Sequence, residues 1–191
     1  MPVDIQLSEL TAAGLEEPRA DWTDSARHYV VDVMRDEQSK RSNRMIEFKD
    51  DTESTRDEDL FRELSKLHGV VGATITIHSL PNLALPSKNG KFDWSLGPSV
   101  AKLREQYNAD YALFIFIRDS YSSGGRVAVM MVGALLGVAV RGGVQTGYAS
   151  LVDLNTGDIV WFNRLARLEG DLRAREPDQE TVRKLLDGLP K

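Results

Sequence analysis

The sequence predicts a single α/β (α+β) domain: a mixed, mainly antiparallel sheet of about four or five strands with helices packed on it. Three features carry that expectation. Residues 111–117, YALFIFI, form a near-continuous apolar run of strand length, the pattern of a central strand buried on both faces. Residues 144–165 read as a β-hairpin across Asn155-Thr156-Gly157-Asp158, with Gly157 suited to a left-handed position. Ahead of both lie two amphipathic stretches long enough to be helices that cover a sheet. At 191 residues the chain has room for one domain with a substantial core, and two would be a tight fit.

Taken in order, residues 1–20 are punctuated by Gly14 and Pro18 and read as an extended N-terminal arm, with a short strand at 3–7; residues 21–191 form the domain. A helix begins at Trp22-Thr23-Asp24, where Thr23 or Asp24 can cap it. Ala26, Tyr29, Val30, Val33 and Met34 continue it at helical spacing to about Lys40. Asn43 breaks that pattern, and Met45, Ile46 and Phe48 suggest a short strand before the polar stretch 49–55. Asp57, Glu58 and Asp59 open a second helix, placing carboxylates at the positive end of its dipole. Its far end is ambiguous: the 3.6 period continues through Ile75, yet Ala73-Thr74-Ile75-Thr76-Ile77 alternates and is β-branched. Helix to about Leu80 is the favoured reading.

Pro81, Pro86 and Asn89-Gly90 make 81–90 a loop, and a helix from about Pro98 to Tyr107 leads into the central strand. Residues 120–125 read as a flexible turn. After the hairpin comes a charged stretch, 169–175. A final helix starts at Pro177, buries Val182, Leu185 and Leu186, and stops at Gly188 and Pro190.

Charge narrows the function classes. The net charge of −5 divides into −8 over residues 1–60 (sixteen acids, eight Lys/Arg) and +3 over residues 61–191 (thirteen acids, sixteen Lys/Arg). No basic cluster of the kind that binds nucleic acid is present. With no cysteine, disulfides, thiolate catalysis and cysteine-ligated metal sites are excluded.

No set of residues is predicted to be catalytic, metal-binding or cofactor-binding. His68 and His78, ten residues apart, point roughly 80° apart on one straight helix and make poor co-ligands. With His28 they read as surface or capping histidines. Ser122-Ser123-Gly124-Gly125 lacks the glycine-flanked nucleophile elbow, and Gly142-Gly143-Val144-Gln145-Thr146-Gly147 lacks the lysine and the strand–loop–helix order of a phosphate loop. Asp32 and Asp36 lie one turn apart on a solvated helix face. Arg118-Asp119, after the predicted central strand, reads as a local ion pair or turn cap. The competing reading is a hydrolase that uses the loops beyond residue 117, near Asp119, Ser120 and Ser122.

The chemistry that stands out is the absence of any. Residues 127–140, VAVMMVGALLGVAV, contain no charged or hydrogen-bonding side chain. As a helix the run is about 21 Å long, short of the roughly 30 Å needed to cross a bilayer. Gly133 and Gly137 stand at GxxxG spacing, which permits close helix approach. The plain expectation is a helix buried on the sheet. The alternative is an exposed surface formed by Val127, Met130, Met131, Gly133, Leu135 and Gly137, used for self-association, a protein partner or a lipid surface.

Ala109-Asp110-Tyr111, the central strand, and the hairpin elements Leu151-Val152-Asp153, Thr156-Gly157 and Ile159-Val160-Trp161 together resemble bacterial cell-envelope lipoproteins. The chain is distantly similar to the TolB-amino-terminal-like and curli-secretion lipoprotein superfamily. The likeness covers about residues 95–165 and rests on packing and turn positions. It implies a non-enzymatic envelope protein that acts by protein binding or assembly. It also implies a periplasmic or outer-membrane-anchored location, with a signal segment and lipid-bearing cysteine ahead of Met1. The alternative is a cytoplasmic protein that associates with copies of itself through 127–140. No nucleic-acid partner and no cofactor are expected.

Overall fold

The apolar run 111–117 lies at the middle of a five-stranded sheet, within β3 (Tyr111–Ser122). β1 (Asp4–Leu10) pairs with it in parallel and β4 (Gln145–Asp153) pairs antiparallel on its other side. β2 (Glu16–Pro18) and β5 (Ile159–Arg167) form the two edges, giving the order β2-β1-β3-β4-β5. The computed structural model describes residues 3–39, 46, 55–167 and 172–190, which form one α+β domain with five α-helices.

Period-two alternation along β3 feeds two separate cores. Ile115 and Ile117 face α1 (Ala20–Ser39) and α5 (Arg175–Leu185), joining Ile5, Leu7, Val30, Val33, Ala149, Val182 and Leu185. Phe114 faces the other way, into a core with Phe61, Leu64 and Ile75 of α2 (Thr55–His78), Leu103 of α3 (Ala101–Tyr107), Val152 and Ile159. With helices on both faces, both sides of β3 are apolar, which is why its sequence reads as a continuous run rather than an alternating one.

Several expectations change. Residues 4–10 are an integral strand with Ile5 and Leu7 fully buried, so the N-terminal segment is extended but belongs to the sheet and is not an arm outside the domain. α1 begins at Ala20, two residues earlier than expected, so Thr23 does not cap it. Instead the Thr23 hydroxyl donates to Arg19 O (2.8 Å) and accepts from Leu7 N (2.9 Å), tying the helix to β1. The ambiguous residues 71–78 are helical: Ile75 reaches the second core while Val70 and Ile77 point outward, and packing overrides β propensity. α5 begins at Arg175, slightly before Pro177. β3 continues through Ser122, which replaces the flexible turn expected at 120–125. The strand expected at 45–48 falls, Ile46 aside, outside the described residues, as does much of the charged stretch 169–175.

The hairpin stands where expected, closed by Gly157 at φ 82°, and a Cβ there would lie 2.2 Å from Gly97 O. A second close approach fixes α2. The Tyr148 ring stacks on Phe116, and its hydroxyl donates to Gly69 O. A Cβ on Gly72 would fall 2.1 Å from Tyr148 Cε2, so the helix can cross the ring only at a glycine. Gly72→Ala is therefore expected to lower stability by about 1–3 kcal/mol, read as a lower urea midpoint with unchanged slope.

Candidate functional site

The 127–140 run forms a projecting hairpin. Its first arm is α4 (Gly124–Leu135), which starts directly after β3: Ser123 N bonds Leu10 O (2.9 Å), and the Ser123 hydroxyl caps the helix by accepting from Arg126 N (3.1 Å). The chain then turns at Leu136-Gly137 and returns through residues 138–144 to the end of the sheet. Eleven of the fourteen residues 127–140 are exposed, with Leu135 87% and Leu136 75% exposed at the apex. The expectation of a helix buried on the sheet is thus overturned, because α4 extends beyond the sheet end instead of lying across a face.

The apex is closed by a Schellman motif. Val138 N donates to Gly133 O (2.8 Å) and Gly137 N to Ala134 O (3.1 Å), while Leu136 N is shared between Val132 O and Gly133 O. Gly137 supplies the left-handed residue, φ 72°. Gly133 is the one buried residue of the helix: a Cβ there would meet Val140 Cγ2 at 2.7 Å and Val138 O at 2.9 Å. Both glycines of the GxxxG spacing therefore serve the chain's own turn and return: the return arm fills the close approach at Gly133, while Gly137 is exposed and supplies the left-handed turn residue. Of the other candidate residues, Val127, Met131 and Leu135 are exposed, and Met130 is half-buried against the root, where it accepts a weak bond from the Ser122 hydroxyl (3.7 Å).

The root is polar. Arg126 donates to Arg141 O through Nε (3.0 Å) and Nη2 (2.7 Å), clamping the two arms, and reaches Ala12 O through Nη1 (3.5 Å). Val144 N and O bond the Ser120 side chain and backbone respectively, and Gly143 N bonds the Ser122 hydroxyl (3.1 Å). Gly143 is packed so tightly on Ser120 O that a Cβ would lie 1.9 Å away. These residues complete the site beyond the set expected from sequence. The arginines bracketing the run were a visible signal; the hydroxyl–backbone bonding depends on a strand end longer than periodicity indicated.

The other candidates do not assemble. Arg118 and Asp119 lie inside β3 on opposite faces and form no local pair: Arg118 bridges to Asp4 (2.7 Å), while Asp119 is buried and accepts from Tyr121 OH and from Gln145 Nε2 (2.8 Å). Gln145 Oε1 in turn accepts from the Thr181 hydroxyl (3.1 Å), so this polar network seats α5. His68 is a core histidine, 1% exposed, contrary to the expected surface role. It bonds the Ser150 hydroxyl (2.9 Å) and packs on Phe114 and Tyr148. The sheet separates it from Asp119. His28 Nδ1 bonds Asp24 O (2.7 Å), and His78 Nδ1 bonds Leu83 O (2.6 Å).

A shallow cleft of about 370 Å³ lies between the end of α2, the 84–94 loop and β5, lined in part by Lys88, Lys91, Trp94, Phe162 and Arg164. Lys88 is committed to Asp93 (2.9 Å) and to the Trp94 ring, and Arg164 donates to the Ser79 hydroxyl (2.7 Å). Among the described residues, no three His, Asp or Glu side chains gather as metal ligands, and no helix is long and apolar enough to cross a membrane.

No family model, no curated protein and no solved structure matches this chain.

Two outcomes follow from this geometry. Gly133→Leu should push the return arm off α4, accelerating hydrogen exchange at the Val138 amide at least about tenfold while the central strands keep their protection. Burial pushes the His68 imidazole down to about 4, whereas an unfolded histidine titrates near 6.5. Between those values the unfolded chain holds a proton the folded one lacks. Stability is therefore complete above pH 6.5 and falls by up to about 3 kcal/mol as the pH drops to 4. Urea midpoints flat across that window would refute it.

Proposed function

We propose that the protein is a non-enzymatic bacterial envelope protein that acts by binding or assembly, with the apolar hairpin of α4 and its return arm as the docking element. The observation that carries this reading is the exposure of most of a fourteen-residue segment devoid of polar side chains, with Leu135 at 87%, on a domain whose helices α1, α3 and α5 bury their apolar residues. A helix that is apolar all round is ordinarily buried in protein or lipid. Leaving it in water is costly, and contact with a second surface removes that cost. The hairpin is also braced by the Arg126 clamp, the Schellman turn and the Gly133–Val140 contact, so little ordering is left to be done on docking.

The envelope location rests on the likeness of Ala109-Asp110-Tyr111 and the β4–β5 hairpin to envelope lipoproteins. Against the hydrolase reading, Asp119 and His68 stand on opposite faces of the sheet, and the Ser120 and Ser122 hydroxyls are spent on the hairpin root.

A photo-crosslinking amino acid in place of Leu135, in bacterial cells producing the protein, should yield adducts that the same group at exposed Val160 on β5 does not. Equal or absent adducts at 135 would overturn the docking reading, and recovery of the natural gene product in the cytosolic fraction would overturn the location.

A further inference from the structure

We infer that the surface taken by the hairpin is a phospholipid bilayer, entered by the apex Leu135-Leu136-Gly137-Val138 with Arg126 and Arg141 at the headgroup level. This rests on the docking reading and names the occupant.

Three observations single out lipid over protein. First, protein interfaces carry about one hydrogen bond per 100–200 Å² and a polar rim. Between Val127 and Val140 no side chain offers a nitrogen or oxygen, so a protein partner would find only the backbone of the turn and return arm to pair with. Second, hydrocarbon penalises unpaired backbone groups, and the apex pairs its amides. The amides of Leu136, Gly137 and Val138 all donate back into the last turn, where Gly133 O and Ala134 O, ordinarily orphaned at a helix C-terminus, accept; the carbonyls of residues 135–138 have no partner among the described residues. Third, the charge changes abruptly at the root: Arg126 and Arg141 bracket the run, and neither meets a carboxylate among the described residues. A guanidinium at each foot of an apolar finger matches the phosphate layer over an acyl layer.

The depth is limited. The carbonyls of residues 135–138 and the backbone of Ala139 and Val140 have no hydrogen-bond partner among the described residues, so the backbone must stay near the headgroup water and only the apex side chains enter. That agrees with the roughly 5–10 Å reached by interfacial amphipathic elements. The net charge of −5 provides no long-range attraction to an anionic surface, so apolar burial supplies the affinity and the arginines add a local contribution.

The test is co-flotation of the full chain with vesicles of phosphatidylcholine alone and of phosphatidylcholine with phosphatidylglycerol. The protein should float with both. Leu135→Asp with Leu136→Asp should lower partition about a hundredfold, and Arg141→Gln about fivefold on the anionic vesicles only. Because both leucines are exposed, the doubly substituted chain should keep its urea midpoint. Leu136→Trp gives an independent readout, an emission blue shift on adding vesicles. No flotation and no blue shift would overturn the lipid assignment, while protein adducts from position 135 in cells would leave the docking reading standing. Self-association abolished by the aspartates, without flotation, would assign the hairpin to a second copy and likewise overturn it. Flotation unaffected by the aspartates would remove both readings.

Discussion

The backbone of β3 is paired along both edges, to β1 over seven register positions and to β4 over nine, and the rest of the molecule is arranged around that constraint. Its side chains alternate between two cores that never mix, one closed by α1 and α5 and the other by α2 and α3. Removing its hydrogen bonds from water is tolerable only because both neighbours are present. The buried Asp119 extends this dependence: its carboxylate is taken out of water but met by Tyr121, Gln145 and the Leu172 amide, so the polar atoms under α5 compensate one another. That network seats the final helix together with Val182, Leu185 and Leu186, the Asn163 amide bonds to Lys184 O and Leu185 O, and the Arg167–Glu180 ion pair.

What was legible in the sequence followed from local rules. The β4–β5 hairpin declared itself through alternation and a turn glycine, and the central strand through an unbroken apolar run of the right length. β1 was harder. DIQLSEL alternates, but the strand that pairs with its full length lies more than a hundred residues away, and the near partner, β2, is three residues long and too short to mark it as a strand. The ends of elements were harder still. Arg118 and Asp119 look like a strand terminus when read linearly, and their placement on opposite faces emerges only once the strand continues to Ser122.

The hairpin illustrates the limit of pattern reading from the other direction. Its composition was unmistakable, yet composition could not decide between burial under the domain and projection from it. That choice is made by connectivity: β3 ends beside Leu10 and Ser123 caps the helix at once, so α4 starts at the sheet end and stays largely exposed. The paired glycines likewise carried a motif reading that the geometry reassigns. Gly137 sets the turn and Gly133 admits Val140, so the spacing reflects a helix packing against its own continuation.

The parallel pairing of β1 with β3 also bears on how the chain acquires its shape. Asp4 is opposite Phe116 and Leu10 is opposite Ser122, so a chain emerging from its N-terminus exposes Ile5 and Leu7 without a sheet partner until most of it has been made. Closure over such a separation is entropically slow and cannot be guided by neighbouring residues. A polypeptide built this way completes its central sheet only after β3 has been made.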